Sequence, residues 1–127
     1  ALDSAALYCS VLDAPREPRA QLMIRTGTLS LRRVCDFFGF DYDPDPQPTD
    51  PISITRAEFD EIYDGFSTAG MRLVADRDKA WRDYAGWRVN YDLPLRSLAS
   101  FVDAPPIPWA TDRPVELERQ RLLRRRR

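Results

Sequence analysis

"TRAEFDEIYDGFSTAGM", residues 55–71, decides the fold class. Thr55 followed three residues later by Glu58 is a capping box, in which each side chain satisfies an amide that the first helical turn leaves unpaired. Phe59, Ile62, Tyr63 and Phe66 then recur at i, i+3, i+4 and i+7, the spacing of one face of an α-helix. The opposite face carries Asp60, Glu61 and Asp64. Gly70 supplies the left-handed residue that ends the element, with Met71 within reach of Phe66.

The same period extends in both directions. Upstream, residues 2–12 place Leu2, Ala5, Cys9 and Leu12 on a short helix stopped by "APREP", and residues 18–38 carry Ile24, Thr28, Leu31, Cys35 and Phe38 on one face, with Leu22 and Leu29 widening that stripe. Gly39 is placed to close this helix, with Phe40 folding back towards Cys35. Downstream, Asp76 caps a helix through "KAWRDYAGWRVNYDLPLRSLASFV". Pro94 forces a kink, or a stop and restart with Asp92 as the new cap. "APPIPWATDRP" reads as extended connector, and Asp112 before Pro114 starts a last short helix. No segment alternates over five or more residues, so no sheet is expected. The reading is an all-α helical bundle of four to five helices over residues 1–112, with a long acidic, Pro-rich loop at 40–53 and a basic helix or tail at 113–127.

Composition bounds what such a bundle does. Of 127 residues, 43% are hydrophobic and 31% charged, the balance of one ordinary domain. The longest uncharged apolar run, residues 4–12, falls well short of the roughly 18 to 20 residues that span a bilayer. Lys79 is the only lysine, and the arginine and alanine usage suggests a GC-rich bacterial genome. Residues 1–118 form an acidic body, whereas 119–127 add arginines and no acid. Cys9 and Cys35 have no metal-ligand or redox spacing and read as buried free thiols of a reducing, cytosolic setting. The chain starts without Met inside a helical pattern, which suggests a piece of something larger.

Three stretches are candidate sites. In "DYDPDPQPTD", residues 41–50, Asp41, Asp43 and Asp45 stand at positions 1, 3 and 5 of a calcium loop, but Pro46 occupies the glycine position and Ile52 the glutamate position. A solvated polyproline-like connector is the plainer reading, and a docking segment for another chain is a further one. In "WRDYAGWRVNYD", residues 81–92, Trp81, Tyr84, Arg88 and Tyr91 share a face, with Trp87 beside it. These side chains either fill the core, with Arg88, Asn90 and Asp92 tying helix ends together, or form a protein-binding face. The tail, with Arg124, Arg125, Arg126 and Arg127, suits a solvated end or an anionic membrane surface. The acidic body argues against specific nucleic acid.

Catalytic patterns are missing from the sequence. There is no histidine, no Gly-rich phosphate loop and no G-x-S-x-G, and no pocket partner is evident for Asp60, Glu61 and Asp64. No enzyme activity and no cofactor are expected.

"ALDSAALYCSVLDAPREP" (1–18), "IRTGTLSLRRVCDFF" (24–38) and "WRVNYDLPLRSLASFV" (87–102) together resemble the helical cytosolic region that follows the pore in some bacterial two-helix, potassium-channel-like membrane proteins. The resemblance implies a domain at the cytoplasmic face of the inner membrane that regulates or assembles the membrane-spanning part, with no catalytic residues to assign. The partners it implies are that membrane part or another protein chain, and an oligomer is compatible with it. The alternatives are a free-standing helical adaptor, using the 81–91 face or the proline loop, and a divalent-metal-responsive sensor built on Asp41, Asp43 and Asp45.

Overall fold

Glu17, Thr55 and Asp76 each turn a side-chain oxygen onto an amide one to two positions inside a helix, and a helix starts after each of them in the computed structural model. The five helices are α1 (Leu2–Val11), α2 (Pro18–Phe38), α3 (Arg56–Thr68), α4 (Arg77–Arg88) and α5 (Asp92–Phe101), so the fold is all-α. The structure describes residues 1–104. The connector and short helix expected after that, the domain boundary at 112 and the arginines at 124–127 lie outside the described residues.

The ends of the helices follow the local chemistry. Gly39 takes the left-handed conformation (φ 76°), and the Phe40 amide donates to the Cys35 carbonyl at 2.9 Å. Gly70 does the same after α3 (φ 78°), with its amide donating to Ser67 and the Met71 amide to Phe66. The Pro94 ambiguity resolves as a restart: α4 ends at Arg88, and Pro94 falls in the first turn of α5, where its missing amide costs no helical bond. Asp92 does not cap α5 as expected. Tyr91 holds the cap position without a side-chain bond, and Asp92 lies inside the first turn with its carboxylate turned inward.

The core is centred on α1, which packs against α4 and α2, while α2 also packs against α5. Ala5, Ala6, Leu7, Ser10 and Val11 are all buried, whereas of the expected stripe Leu2, Ala5, Cys9 and Leu12 only Ala5 is, the other three being half-buried. A helix enclosed on several sides needs no polar face, which explains why residues 4–12 carry no charge. Phe59 and Tyr63 of α3 reach the same core, together with Ile54, Tyr84 and Tyr91. The loop from α1 returns through an isolated antiparallel bridge of Leu12 with Leu73, and the Tyr63 hydroxyl donates to the Val74 carbonyl. Among the described residues no strand longer than this bridge forms, and no helix is long and apolar enough to cross a membrane.

Two expectations about burial need correcting. Cys35 is buried, but Cys9 is only half-buried. Leu22 and Leu29, expected to widen the core stripe of α2, are 63% and 60% exposed. The buried line of α2 is the narrower set Ile24, Thr28 and Cys35.

Candidate functional site

Arg88 occupies the last turn of α4 and is completely buried. A bare guanidinium in such a place would be strongly unfavourable, so its partners define the local structure. Nη1 donates to both carboxylate oxygens of Asp3, at 2.7 and 2.8 Å. Nε donates to Oδ1 of Asp92 at 2.7 Å, and Nη2 to the Ser53 hydroxyl at 3.3 Å. Ser53 in turn donates to Asp92 from its hydroxyl (2.6 Å) and its amide (3.1 Å). The Tyr91 hydroxyl donates to Asp3 at 2.8 Å, Tyr84 adds a longer contact at 3.4 Å, and the Arg88 guanidinium lies over the Tyr91 ring. Arg96 approaches Asp92 at 3.6 Å, so two cations face two carboxylates.

Helix polarity favours the same arrangement. Asp3 and Asp92 sit in the first turns of α1 and α5, where the helix dipole favours anions, and Arg88 sits in the last turn of α4, where it favours cations. Burial alone would disfavour charge on Arg88, but the Asp3 carboxylate outweighs it and keeps the guanidinium protonated above its ordinary range. Burial, and then the charge of Asp3, push the Tyr84 and Tyr91 hydroxyls upward from their usual value, so both remain neutral donors. The cluster's donors and acceptors are directed at one another. What this geometry does is fix α1, α4, α5 and Ser53, two residues before α3's cap, in one arrangement.

The 81–91 segment is therefore not an exposed face. Tyr84, Arg88 and Tyr91 are fully buried, and Trp81 and Trp87 are half-buried against the core, with Trp81 and Tyr84 meeting the Phe59 ring at centroid distances of 5.3 and 5.5 Å. Asn90 closes α4 by donating to the carbonyls of Gly86 and Trp87. Sequence spacing could reveal Arg88 with Asp92, which are one helical turn apart. It could not reveal Asp3 or Ser53, which lie 85 and 35 residues from Arg88.

The acidic loop is also tied down rather than a free connector. Asp43 accepts from the Asp45 amide (2.8 Å), Asp50 accepts from the Gln47 amide (2.7 Å), and Arg32 donates to the Pro44 carbonyl (2.9 Å). Pro48 lies over Gly86 of α4. Asp43 serves a turn instead of converging with Asp41 and Asp45, and among the described residues no group of three His, Cys, Asp or Glu is placed to hold a metal ion.

The exposed feature that the sequence reading missed is the outer side of α2. Leu22, Met23, Leu29 and Phe37 are exposed there, Phe37 to 80%. Arg19 and Arg33 stand on the same line of the helix, a signal that could have moved Leu22 and Leu29 out of the core. Between α2 and the start of α1 runs an open groove of about 420 Å³, walled by Leu2, Leu22 and Met23. Gly27 lets α1 approach α2 closely there, because a Cβ at that position would collide with a Leu2 methyl.

Comparison of the chain with protein-family models, with curated proteins and with solved structures finds no match.

Proposed function

We propose that this chain is a non-enzymatic assembly or docking domain, serving a bacterial integral membrane protein from its cytoplasmic side. The observation that carries the docking part is the outer side of α2, where four large apolar side chains remain in water on a helix whose other side is core. The buried Arg88 cluster supports it by holding the helices in one rigid arrangement, as a preformed docking surface requires. The membrane setting rests on the sequence resemblance to the cytosolic region of two-helix, potassium-channel-like proteins.

The test is fractionation of the tagged natural gene product, followed by native electrophoresis of the membrane fraction. The expected result is a membrane-bound complex that shrinks when Arg88→Ala loosens the arrangement of the helices. An unchanged complex would overturn the assembly role. A tagged product found wholly in the soluble fraction would leave the second reading, a free-standing adaptor, which the same exposed helix favours.

A further inference from the structure

The outer side of α2 has a composition as well as an exposure. Going along the helix, Arg19, Leu22, Thr26, Leu29 and Arg33 follow at steps of three and four residues, so they form one line, with Met23 and Phe37 beside it. Leu22, Met23 and Leu29 lie between Arg19 and Arg33, and Phe37 lies one turn beyond Arg33. That is the layout of an interface, with an apolar centre and a charged rim. Among the described residues Arg19, Arg25 and Arg33 have no ion-pair partner, whereas Arg56, Arg72 and Arg77 are all paired. Asp36 is the only acid within α2.

We propose that this face, together with the groove against Leu2, seats an acidic amphipathic helix of a partner protein. Apolar side chains of the partner, one turn apart, would enter between Leu22, Met23 and Leu29, and its flanking carboxylates would meet Arg19, Arg25 and Arg33. The proposal rests on the docking role given above and names the surface and the class of partner.

Two other occupants fit the charges less well. A second copy joined α2 to α2 places arginine against arginine, because antiparallel pairing about Thr26 sets Arg19 opposite Arg33 and parallel pairing sets each beside its twin. A second copy offering its acidic α3 and α4 has no large exposed apolar side chain on those helices to offer, and Asp60, Asp64 and Asp78 are already held by Arg56 and Arg77. An anionic bilayer is flat, and the acidic loop folds beside the C-terminal half of α2, where Tyr42 donates to Asp36 and Arg32 to Pro44. Asp36 and the exposed acids of that loop would repel a broad anionic surface laid on this end of α2, whereas a single helix can follow the line of Leu22 and Leu29.

The test is selection from a displayed library of acidic amphipathic helices of about 16 residues with Leu, Ile, Met or Phe varied at the anchor positions, using the whole 127-residue chain as bait. Expected are binders whose amide shift changes map to α2 and whose affinity falls at least about tenfold in Leu22→Ser/Leu29→Ser. Both sites are well exposed, so the double variant should melt like the parent. Arg19→Ala/Arg33→Ala should weaken the same binders in a salt-dependent way. Neutralising Arg124, Arg125, Arg126 and Arg127 to Gln should leave binding intact. Equal selection against Leu22→Ser/Leu29→Ser, no selection at all, or binding lost only with the tail variant would overturn the proposal. So would α2-dependent self-association, or α2-dependent binding to phosphatidylglycerol vesicles with none to the helices. Binders that map elsewhere on the domain would overturn this surface while leaving the broader docking role standing, which a change in native electrophoresis reports separately.

Discussion

Arg88 and Arg33 are the same side chain in opposite settings, and the difference shows how this small fold divides its labour. Arg88 lies in the interior, with Asp3, Asp92 and Ser53 supplying acceptors for its fork at 2.7 to 3.3 Å. Arg33 stands in solvent on α2 among exposed leucines. An interior charge contributes specificity only if every partner is in place, so it constrains the fold strongly. An exposed charge costs almost nothing to keep and remains available to something outside. Arginine content by itself says nothing about which of the two roles a given residue plays; the partners within reach do.

The contrast breaks most clearly at Arg88. Arg88→Ala leaves half-buried Asp3 without its cation and buried Asp92 with only the longer Arg96 contact, and it is expected to cost about 3–5 kcal/mol in urea unfolding. Arg88→Lys keeps the charge but cannot grip Asp3 and Asp92 together, so its midpoint should fall between those of Arg88→Ala and the parent. A midpoint for Arg88→Ala within error of the parent would show that the cluster is not holding the helices.

Alkaline titration probes the same cluster from its neutral members. Burial and Asp3 raise the folded-state values of Tyr84 and Tyr91 above the unfolded value of about 10. Their contribution is fully present below that pH. Above about pH 10 the unfolded chain releases protons that the folded chain keeps, so stability should fall by roughly 1.4 kcal/mol per pH unit per tyrosine. Thermal melts between pH 8 and about 11 check the slope, and Tyr91→Phe should remove one tyrosine's share.

Thr28 sharpens the comparison from between the two regions. Its hydroxyl is buried on the inner side of α2 without a hydrogen-bond partner, the situation Arg88 avoids. Thr28→Val removes that orphan at nearly constant shape, and stability is expected to rise by about 1 kcal/mol at an unchanged denaturant slope. At the small end, Arg33→Ala and Leu22→Ser are expected to shift stability by less than about 0.5 kcal/mol. A larger loss for either would mean that the outer side of α2 is already in use within the fold.

Local rules of sequence reached some of this and not the rest. The Thr55–Glu58 box and the glycine ends at Gly39 and Gly70 are decided within a few residues, and each is found where the spacing put it; the break forced by Pro94 is also found, as a restart at Asp92. The inward turn of Asp92 was legible only in part: Arg88 stands four residues before it, but a carboxylate before a helix also reads as a cap, and Ser53, which settles the choice, lies 39 residues away. Asp3 was invisible because its cation lies 85 residues away. On α2, helical periodicity identified an apolar stripe but not its limits: period alone cannot say whether a leucine one position off the line is covered, and that depends on how far α1 and α5 extend across the helix.

The clasp between Asp3 and Arg88 also sets a schedule for the chain during synthesis. α1 leaves the ribosome before the other four helices, yet the cation that settles its first turn follows 85 residues later. At about 5–20 residues per second that is a wait of roughly 4–17 s, during which an uncharged run of apolar residues lacks α4, against which it packs in the finished fold. The domain should therefore complete its fold late, once α5 is out, and a nascent chain stalled before residue 92 is the form in which its core helix would most need a chaperone.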